Sequence, residues 1–319
     1  HGLTVDFEDD IARAQAGVRV IDIPNGGLSA ARNVGLAAAS GEIVAYTDAD
    51  VRVDPDWLNY LVHTLLTEAV VGVGGPNVVP EDDVWMAQCV ARAPGGPTHV
   101  LLDDTVAEHI PGCNMAFRRD ALLSIGGFNP VFVRAGDDVD VCWRLQARGL
   151  RLGFSPAALV WHHHRTTMEG FWRQQVGYGE AEAWLHVHHP EKHSGGRTLW
   201  RGRIYSPFPE TLGVRERRVN TGVWGTAAFP SVYWTAPSPW QHLPHSITWM
   251  VLSTILIVLG AFELAQPVAG EWLLAVGAAG WLTTLARCLA LAQRSDLRRL
   301  PRLWGLPSSM GRCVYKAGN

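Results

Sequence analysis

Two carboxylates one residue apart, Asp48 and Asp50, close the run Glu42-Ile43-Val44-Ala45-Tyr46-Thr47-Asp48-Ala49-Asp50. The run is short, mostly apolar and preceded by Gly41, so it reads as a buried strand. Alternation along an extended chain places Asp48 and Asp50 on one side, with only Ala49 between them. Two carboxylates at a strand end suit a hard divalent cation that also holds a diphosphate. Alone, the pair would be read as solvated turn acids ahead of Asp54-Pro55. Three further stretches favour the chemical reading.

The first is Asn25-Gly26-Gly27-Leu28-Ser29-Ala30-Ala31-Arg32-Asn33-Val34-Gly35. Glycines ahead of a helix leave free amides and a helix dipole that attract an anion. Arg32 falls in the first turn, where a cation opposes the dipole. Either a diphosphate draws it there or a nearby acid such as Asp22 pairs with it. The second stretch, Gly136-Asp137-Asp138-Val139-Asp140, gathers three acids at a helix start. Dipole compensation accounts for one or two of them. Like charges raise the proton affinity of a neighbouring carboxylate, which is the setting of a general base. The third is Trp161-His162-His163-His164-Arg165. Alternation lets His162 and His164 act together as metal ligands while Arg165 neutralises phosphate.

These groups need a scaffold. Val18 to Ile23 alternates and predicts a strand, and Pro24-Asn25-Gly26-Gly27 a turn. Ser29 caps a predicted helix over 30–39; Asp54-Pro55 opens another to Glu68. Strands are expected over 70–73, 113–117, 150–154 and 159–161, and helices over 139–148 and 167–186; residues 1–16 suggest a short helix. Strands alternating with helices imply an α/β domain with a mostly parallel sheet. Residues 187–245 give no regular pattern.

The 319 residues allow one large domain and an appendage. The net charge of -3 provides no field for nucleic acid. Five cysteines without Cys-x-x-Cys spacing support neither zinc nor a disulfide framework. Segments 246–262 and 272–292 are apolar, with Arg287 the one charge in the second. Tryptophans at or near their ends and Arg294, Arg298, Arg299 and Arg302 beyond them suggest a membrane hairpin with cytoplasmic flanks.

In order, these motifs resemble family 2 glycosyltransferases of the GT-A (Rossmann-like) fold. The matching text is Pro24-Asn25-Gly26-Gly27 through Gly35, the Asp-x-Asp strand, Gly112-Cys113-Asn114-Met115 with Gly126-Gly127-Phe128, and Gly136 to Gly149. Trp161 to Arg165 and the stretch from Phe171 are similar to a bacterial, membrane-attached branch. The resemblance spans roughly residues 18–205. It implies that Asp48 and Asp50 hold Mg²⁺ or Mn²⁺ against a nucleotide-diphospho-sugar, where the alternation above adds His162 and His164 as further ligands. It implies that Asp138 is the base, with Asp137 where Glu is usual. Substrate contacts are expected from Asn25, Gly26, Gly27, Arg32, Asn33, Asp48, Asn114 and Arg165, and more weakly from Gln174 and Gln175. Family members begin with a strand–helix–strand unit that grips the nucleoside, and this sequence starts after it.

The expected protein is therefore an inverting glycosyltransferase at the cell inner membrane, its catalytic domain facing the cytoplasm. Its acceptor would be a glycan or lipid-linked, in cell-envelope synthesis. Expected parts are a GT-A domain (1–205), a linker at the membrane interface (206–245), a transmembrane hairpin (246–292) and a basic tail (293–319). An inactive, membrane-anchored sugar-nucleotide-binding module and a nucleotidyltransferase are the alternatives.

Overall fold

The computed structural model describes residues 19–80, 82–92, 98–194, 197–205, 216–218, 232–234, 243–245, 247–262 and 267–294. Helix α1 (Leu28–Ala38) begins after Gly27, whose φ of 87° suits glycine. A Cβ at Gly27 would also lie 2.6 Å from Val133 Cγ1. The helix start is fastened there: Leu28 N–H donates to Val133 O (2.8 Å) and Ser29 Oγ to Phe132 O (2.8 Å). Ser29 thus ties two segments together instead of capping. Its buried stripe of Ser29, Arg32 and Leu36 carries Arg32 inward.

Strand β1 (Ile43–Thr47) is followed by β2 (Val51–Val53), helix α2 (Trp57–Thr67), β3 (Gly72–Gly74) and β4 (Asn77–Val78). Helix α3 (Trp85–Arg92) leads to β5 (His99–Leu101) and β6 (Val106–His109), joined by a turn that Asp103 holds through Thr105 N–H and Val106 N–H. Then come β7 (Asn114–Arg118), α4 (Arg119–Ser124), α5 (Asp137–Ala147), β8 (Leu152–Phe154), β9 (Val160–His162) and α6 (Met168–His188). Short strands β10 (His193–Ser194) and β11 (Arg197–Thr198) form a hairpin of their own. β12 (Arg203–Tyr205), β13 (Glu216–Arg218) and β14 (Val232–Trp234) join the main sheet.

That sheet has the order β1-β7-β3-β8-β6-β5-β12-β14-β13. Phe117 and Met115 on β7 point to a core with Leu122, Phe128, Val141 and Leu145. The intervening Ala116 faces the other side, where Trp57, Leu61 and Leu65 of α2 pack. A smaller sheet, β2-β9-β4, lies apart, and its register sets Val51 opposite His162.

The expectation of a mostly parallel sheet is not met. Among the described strands of the main sheet, β3 and β8 are the parallel pair, and the other pairings are antiparallel. Strand direction leaves no trace in the periodicity of short buried runs, which look alike in either sense. The expected strand at Val18–Ile23 is also absent over its described residues: 19–23 have no regular structure, and Ile21 and Ile23 are exposed. Alternation makes a strand only where a neighbour accepts its hydrogen bonds, and no described strand pairs there. The expected helix over 1–16 and the tail beyond 294 lie outside the described residues.

Helices α7 (Ile247–Ala261) and α8 (Pro267–Arg294) do form a hairpin. Gly277 and Gly280 let them approach closely: a Cβ at Gly280 would lie 2.1 Å from Ser253 Oγ. Trp249 Nε1 donates to Gly280 O (3.0 Å). The expected membrane crossing is not supported, since among the described residues no helix is long and apolar enough to cross a membrane. The 15 residues of α7 reach about 22 Å, short of the roughly 30 Å hydrocarbon core. The longer α8 dilutes its apolar character with Glu271, three glycines and a Thr283-Thr284 pair.

Candidate active site

One wide cavity of about 1640 Å³ receives groups from both sheets. On one wall, Asp48 and Asp50 lie in the turn between β1 and β2, closed by Val51 N–H to Asp48 O (3.2 Å). Their convergence comes from this turn and not from alternation along a strand. The register of β2 against β9 brings His162 alongside. Ligand atoms of Asp48, Asp50 and His162 all lie within 4.8 Å of one another. His162 Nε2 is 3.5 Å from Asp50 Oδ1, and its buried Nδ1 has no hydrogen-bond partner. Burial would raise the Asp50 carboxyl, but His162 and Arg165 outweigh it and hold it below the ordinary range. An ionised carboxylate, a second carboxylate and an imidazole fit a divalent cation.

The other two histidines leave this cluster. His163 Nδ1 meets Asp83 Oδ1 at 2.6 Å, while its N–H donates to Asp50 O (2.9 Å). β9 ends at His162, so strand alternation no longer governs where His163 and His164 point. His164 lies edge-on behind His162, ring centroids 4.9 Å apart, and the metal-compatible cluster does not include it. Burial, with His162 next, pushes the His164 imidazole down to about 3. Arg165 Nη1 is 3.5 Å from Asp50 Oδ2 and lines the cavity.

The opposite wall is the start of α5. Gly136 turns the chain with φ 87°, and three acids then leave the helix in different directions. Each meets its own partner. Asp137 is buried against Arg32. Asp138 lies 3.5 Å from His109 Nε2 and accepts Gly112 N–H (2.9 Å). Asp140 accepts from Arg144 Nε (2.7 Å) and pairs with His189 Nε2 (2.9 Å), which ties α5 to the end of α6. The cluster therefore reflects three separate pairings. The side chain of Asp138 is 21% exposed and that of Asp137 1%. Burial pushes the Asp137 carboxyl up to about 6, against the pull of Arg32. Burial also works to raise Asp138, but His109, Arg32 and the Gly112 amide overcome it and bring the carboxyl down to about 2.

Arg32 joins the two walls. Its guanidinium contacts Asp137 and lies 3.2 Å from Asp48 Oδ1 and 3.1 Å from Gly112 O. Burial opposes its charge, yet Asp137, Asp48 and Asp138 together raise its proton affinity. The sequence set a diphosphate against a nearby acid as the reason for this cation. Two acids distant in sequence hold it.

Other expected contacts fall elsewhere. Asn114 is fully buried: its amide donates to Ala158 O (2.8 Å) and Pro76 O (3.2 Å), and its oxygen accepts Trp57 Nε1 (2.7 Å). Asn33 exchanges two hydrogen bonds with the Phe128 backbone (2.7 and 2.8 Å). Both serve packing. Asn25, Gly26 and Gly27 shape the entry to α1 but lie off the cavity, which Leu28, Ala31 and Gly35 line instead. At the helix start, Leu28 N–H is spent on Val133 O. Gln174 lines the cavity; Gln175 is buried away from it.

Sequence reasoning missed His109, Trp172 and Trp200, all on the cavity wall. Trp200 packs on His109 at 5.7 Å and on Trp143 at 5.2 Å. Buried Glu108 holds that segment by accepting Arg201 N–H (2.8 Å) and Gly202 N–H (2.7 Å). The β5–β6 hairpin is too short for its period to be read, and one histidine in it carries no pattern.

Residues 4–126 match the family model described as Glycosyl transferase family 2. The pre-mycofactocin glycosyltransferase of Mycobacterium tuberculosis is 33% identical over 193 residues, 58% of this chain and 40% of the relative. The glucosyl-dolichyl phosphate glucuronosyltransferase of Haloferax volcanii is 30% identical over 156 residues, 43% of this chain and 48% of the relative. These matches span less than half the length of either relative. Among solved structures, a mannosyltransferase from Pyrobaculum calidifontis in complex with GDP-Man and Mn²⁺ aligns with a TM-score of 0.48 at 16% identity. That alignment covers 98% of this chain and 73% of the other. The family-model match covers residues 4–126, and the α/β architecture with its mixed sheet is compatible with it.

Proposed function

We propose that this protein transfers a sugar from a nucleotide-diphospho-sugar to an acceptor hydroxyl, inverting the anomeric centre. The observation that carries the reading is the meeting of two functions in one cavity. A metal-compatible cluster of Asp48, Asp50 and His162 faces a partly exposed carboxylate, Asp138, across the same space. A bound Mg²⁺ or Mn²⁺ supplies positive charge to the departing diphosphate. Asp48, Asp50 and His162 would hold it, and Arg165 adds a cation at the same edge. Asp138 accepts the proton of the attacking hydroxyl, while its hydrogen bond from Gly112 N–H fixes the carboxylate's direction. Arg32 positions both walls through Asp48 and Asp137 and keeps Asp137 from the solvent. Oriented attack and charge stabilisation are the main rate terms.

The two relatives are named for glycosyl transfer in different settings, and a glycan or lipid-linked acceptor belongs to this proposal. Location at the cell inner membrane, catalytic domain on the cytoplasmic side, belongs to it as well. Exposed Leu252, Ile255, Phe262 and Trp272 on the helical hairpin support attachment to a lipid surface.

The test is donor turnover by the full-length protein with a panel of UDP- and GDP-sugars and Mn²⁺. Release of nucleoside diphosphate is expected, and Asp138→Asn should lower it by about 10²–10⁴-fold with donor binding retained. Release of pyrophosphate would point to nucleotidyl transfer. Tight donor binding without turnover in any acceptor mixture would leave a binding module.

A further inference from the structure

Asp138 does not stand alone. His109, at the end of β6, is buried, and its Nδ1 is 2.9 Å from the Thr98 carbonyl oxygen. A carbonyl can only accept, so Nδ1 carries the hydrogen. In the neutral ring Nε2 is then a lone pair, and it faces Asp138 Oδ2 at 3.5 Å. Two acceptors opposed at this distance attract a proton into the space between them, so Nε2 is placed to receive one. Nε2 has no hydrogen-bond partner among the described residues. The carboxylate accepts Gly112 N–H on Oδ2 (2.9 Å) and Val139 N–H on Oδ1 (2.8 Å), and both bonds favour its ionised form. The groups that face His109 are Asp138 from α5, the His99 ring and Thr98 carbonyl from β5 and its approach, and the Trp200 ring. Burial, with the His109 charge next, keeps the His99 imidazole neutral. Asp138 is thus the anion placed to exchange a proton with Nε2.

We propose that His109 is the proton partner of Asp138, taking at Nε2 the proton that the carboxylate removes from the acceptor hydroxyl. The proposal rests on the glycosyl-transfer reading above and adds a positioning residue to it. The cycle starts with ionised Asp138 and neutral His109. The acceptor O–H bond breaks, its oxygen bonds to the anomeric carbon, and the bond to the diphosphate breaks with its electron pair leaving on the diphosphate. The proton reaches Asp138 and passes to Nε2, which leaves the imidazolium–carboxylate pair that the geometry favours. Cavity water takes the proton from His109 before the next turnover. The bonds from Gly112 N–H and Val139 N–H favour the ionised carboxylate, so Asp138 passes the proton on to the facing Nε2. Trp200 packs against the ring, centroids 5.7 Å apart, on the same cavity wall.

The test uses the full-length protein with a turned-over nucleotide-sugar and three variants. His109→Gln can still donate a hydrogen bond to Asp138 but cannot take its proton. Its kcat is expected to fall by about 10–10²-fold, with donor KM within about twofold, and its kcat–pH profile should lose one ionisation. His109→Ala should regain part of its activity with added imidazole. In the wild type, ¹⁵N resonances should show neutral His109 protonated at Nδ1. Wild-type kcat and pH profile in His109→Gln, beside an inactive Asp138→Asn, would overturn the proton partnership and leave the glycosyl-transfer reading standing. A neutral His109 protonated at Nε2 would overturn it without reference to activity. Absence of any donor turnover by the wild type would remove both.

Discussion

Gly112 is where the two walls of the site can be pulled apart by one methyl group. Its φ is not in the left-handed region, so alanine meets no backbone strain. The reason for glycine lies in what a Cβ would touch: Arg32 Nη2 at 2.6 Å, Nη1 at 2.8 Å and Cζ at 3.1 Å. The nearest is roughly 0.8 Å short of ordinary contact, so the guanidinium has to move. Its freedom is small, with Asp137 and Asp48 on its nitrogens and the Phe128 ring 5.6 Å away. Breaking one member out of a buried ion pair costs about 3–5 kcal/mol, and a charge-assisted hydrogen bond is worth about 1.5–3. A guanidinium that shifts but keeps part of its pairing should therefore cost about 2–3 kcal/mol. The melting temperature should drop by roughly 4–12 °C. Donor turnover should fall too, because Asp48 and Asp137 lose their common clamp. The assay is thermal unfolding of Gly112→Ala in the wild-type and Arg32→Ala backgrounds. If Arg32 is the obstacle, the methyl should cost less than about 0.5 kcal/mol once the guanidinium is gone. An equal cost in both backgrounds refutes the reasoning.

Three further outcomes are expected. Asp50→Asn should weaken Mn²⁺ binding by at least about tenfold, measured by calorimetry, since one charged ligand of the cluster is lost; unchanged affinity would place the ion elsewhere. Gly35→Ala lies in α1 with nothing within 4 Å of the new Cβ and should stabilise the fold by about 0.5–1 kcal/mol, visible as a higher melting temperature. His99 is held well below its ordinary value, chiefly by burial. As pH falls below about 6.5 the unfolded chain takes a proton that the folded one refuses, so stability should decline. Denaturant titrations between pH 7 and 5 should show a shallower decline in His99→Gln, and an unaltered slope would remove His99 from the account.

Much of the scaffold was legible because helices of ten residues or more display their period. α1, α2, α5 and α6 fall within two or three residues of their expected places. The Asp-x-Asp and Asp137-Asp138 stretches do reach one cavity, since each sits at the end of an element whose type the sequence indicates. Strand direction was not legible, because Gly72–Gly74 and Asn114–Arg118 read the same in either orientation. The roles of Asn114 and His164 were not legible either. Whether a polar side chain faces a cavity or the Pro76 and Ala158 carbonyls depends on partners distant in sequence. Trp200 and His109 meet across 91 positions of chain, and no local pattern announces such a meeting. The hairpin α7–α8 shows the converse error: apolar composition was visible, while usable length depended on where the helices stop.

The placement of metal-compatible ligands on one sheet and of the base over another makes the cavity a gauge with two jaws. His162 rides on the small β2-β9-β4 sheet and Asp50 directly precedes its strand β2, whereas Asp138 rides on a helix seated over the large one. The span between leaving group and attacking hydroxyl is then set by how the two sheets are seated against each other. Volume changes at the seam, where Trp57, Ala158 and Val160 pack together, would widen or narrow that span without touching either jaw. Acceptors of different girth could be accommodated by such changes while the reacting groups stay as they are.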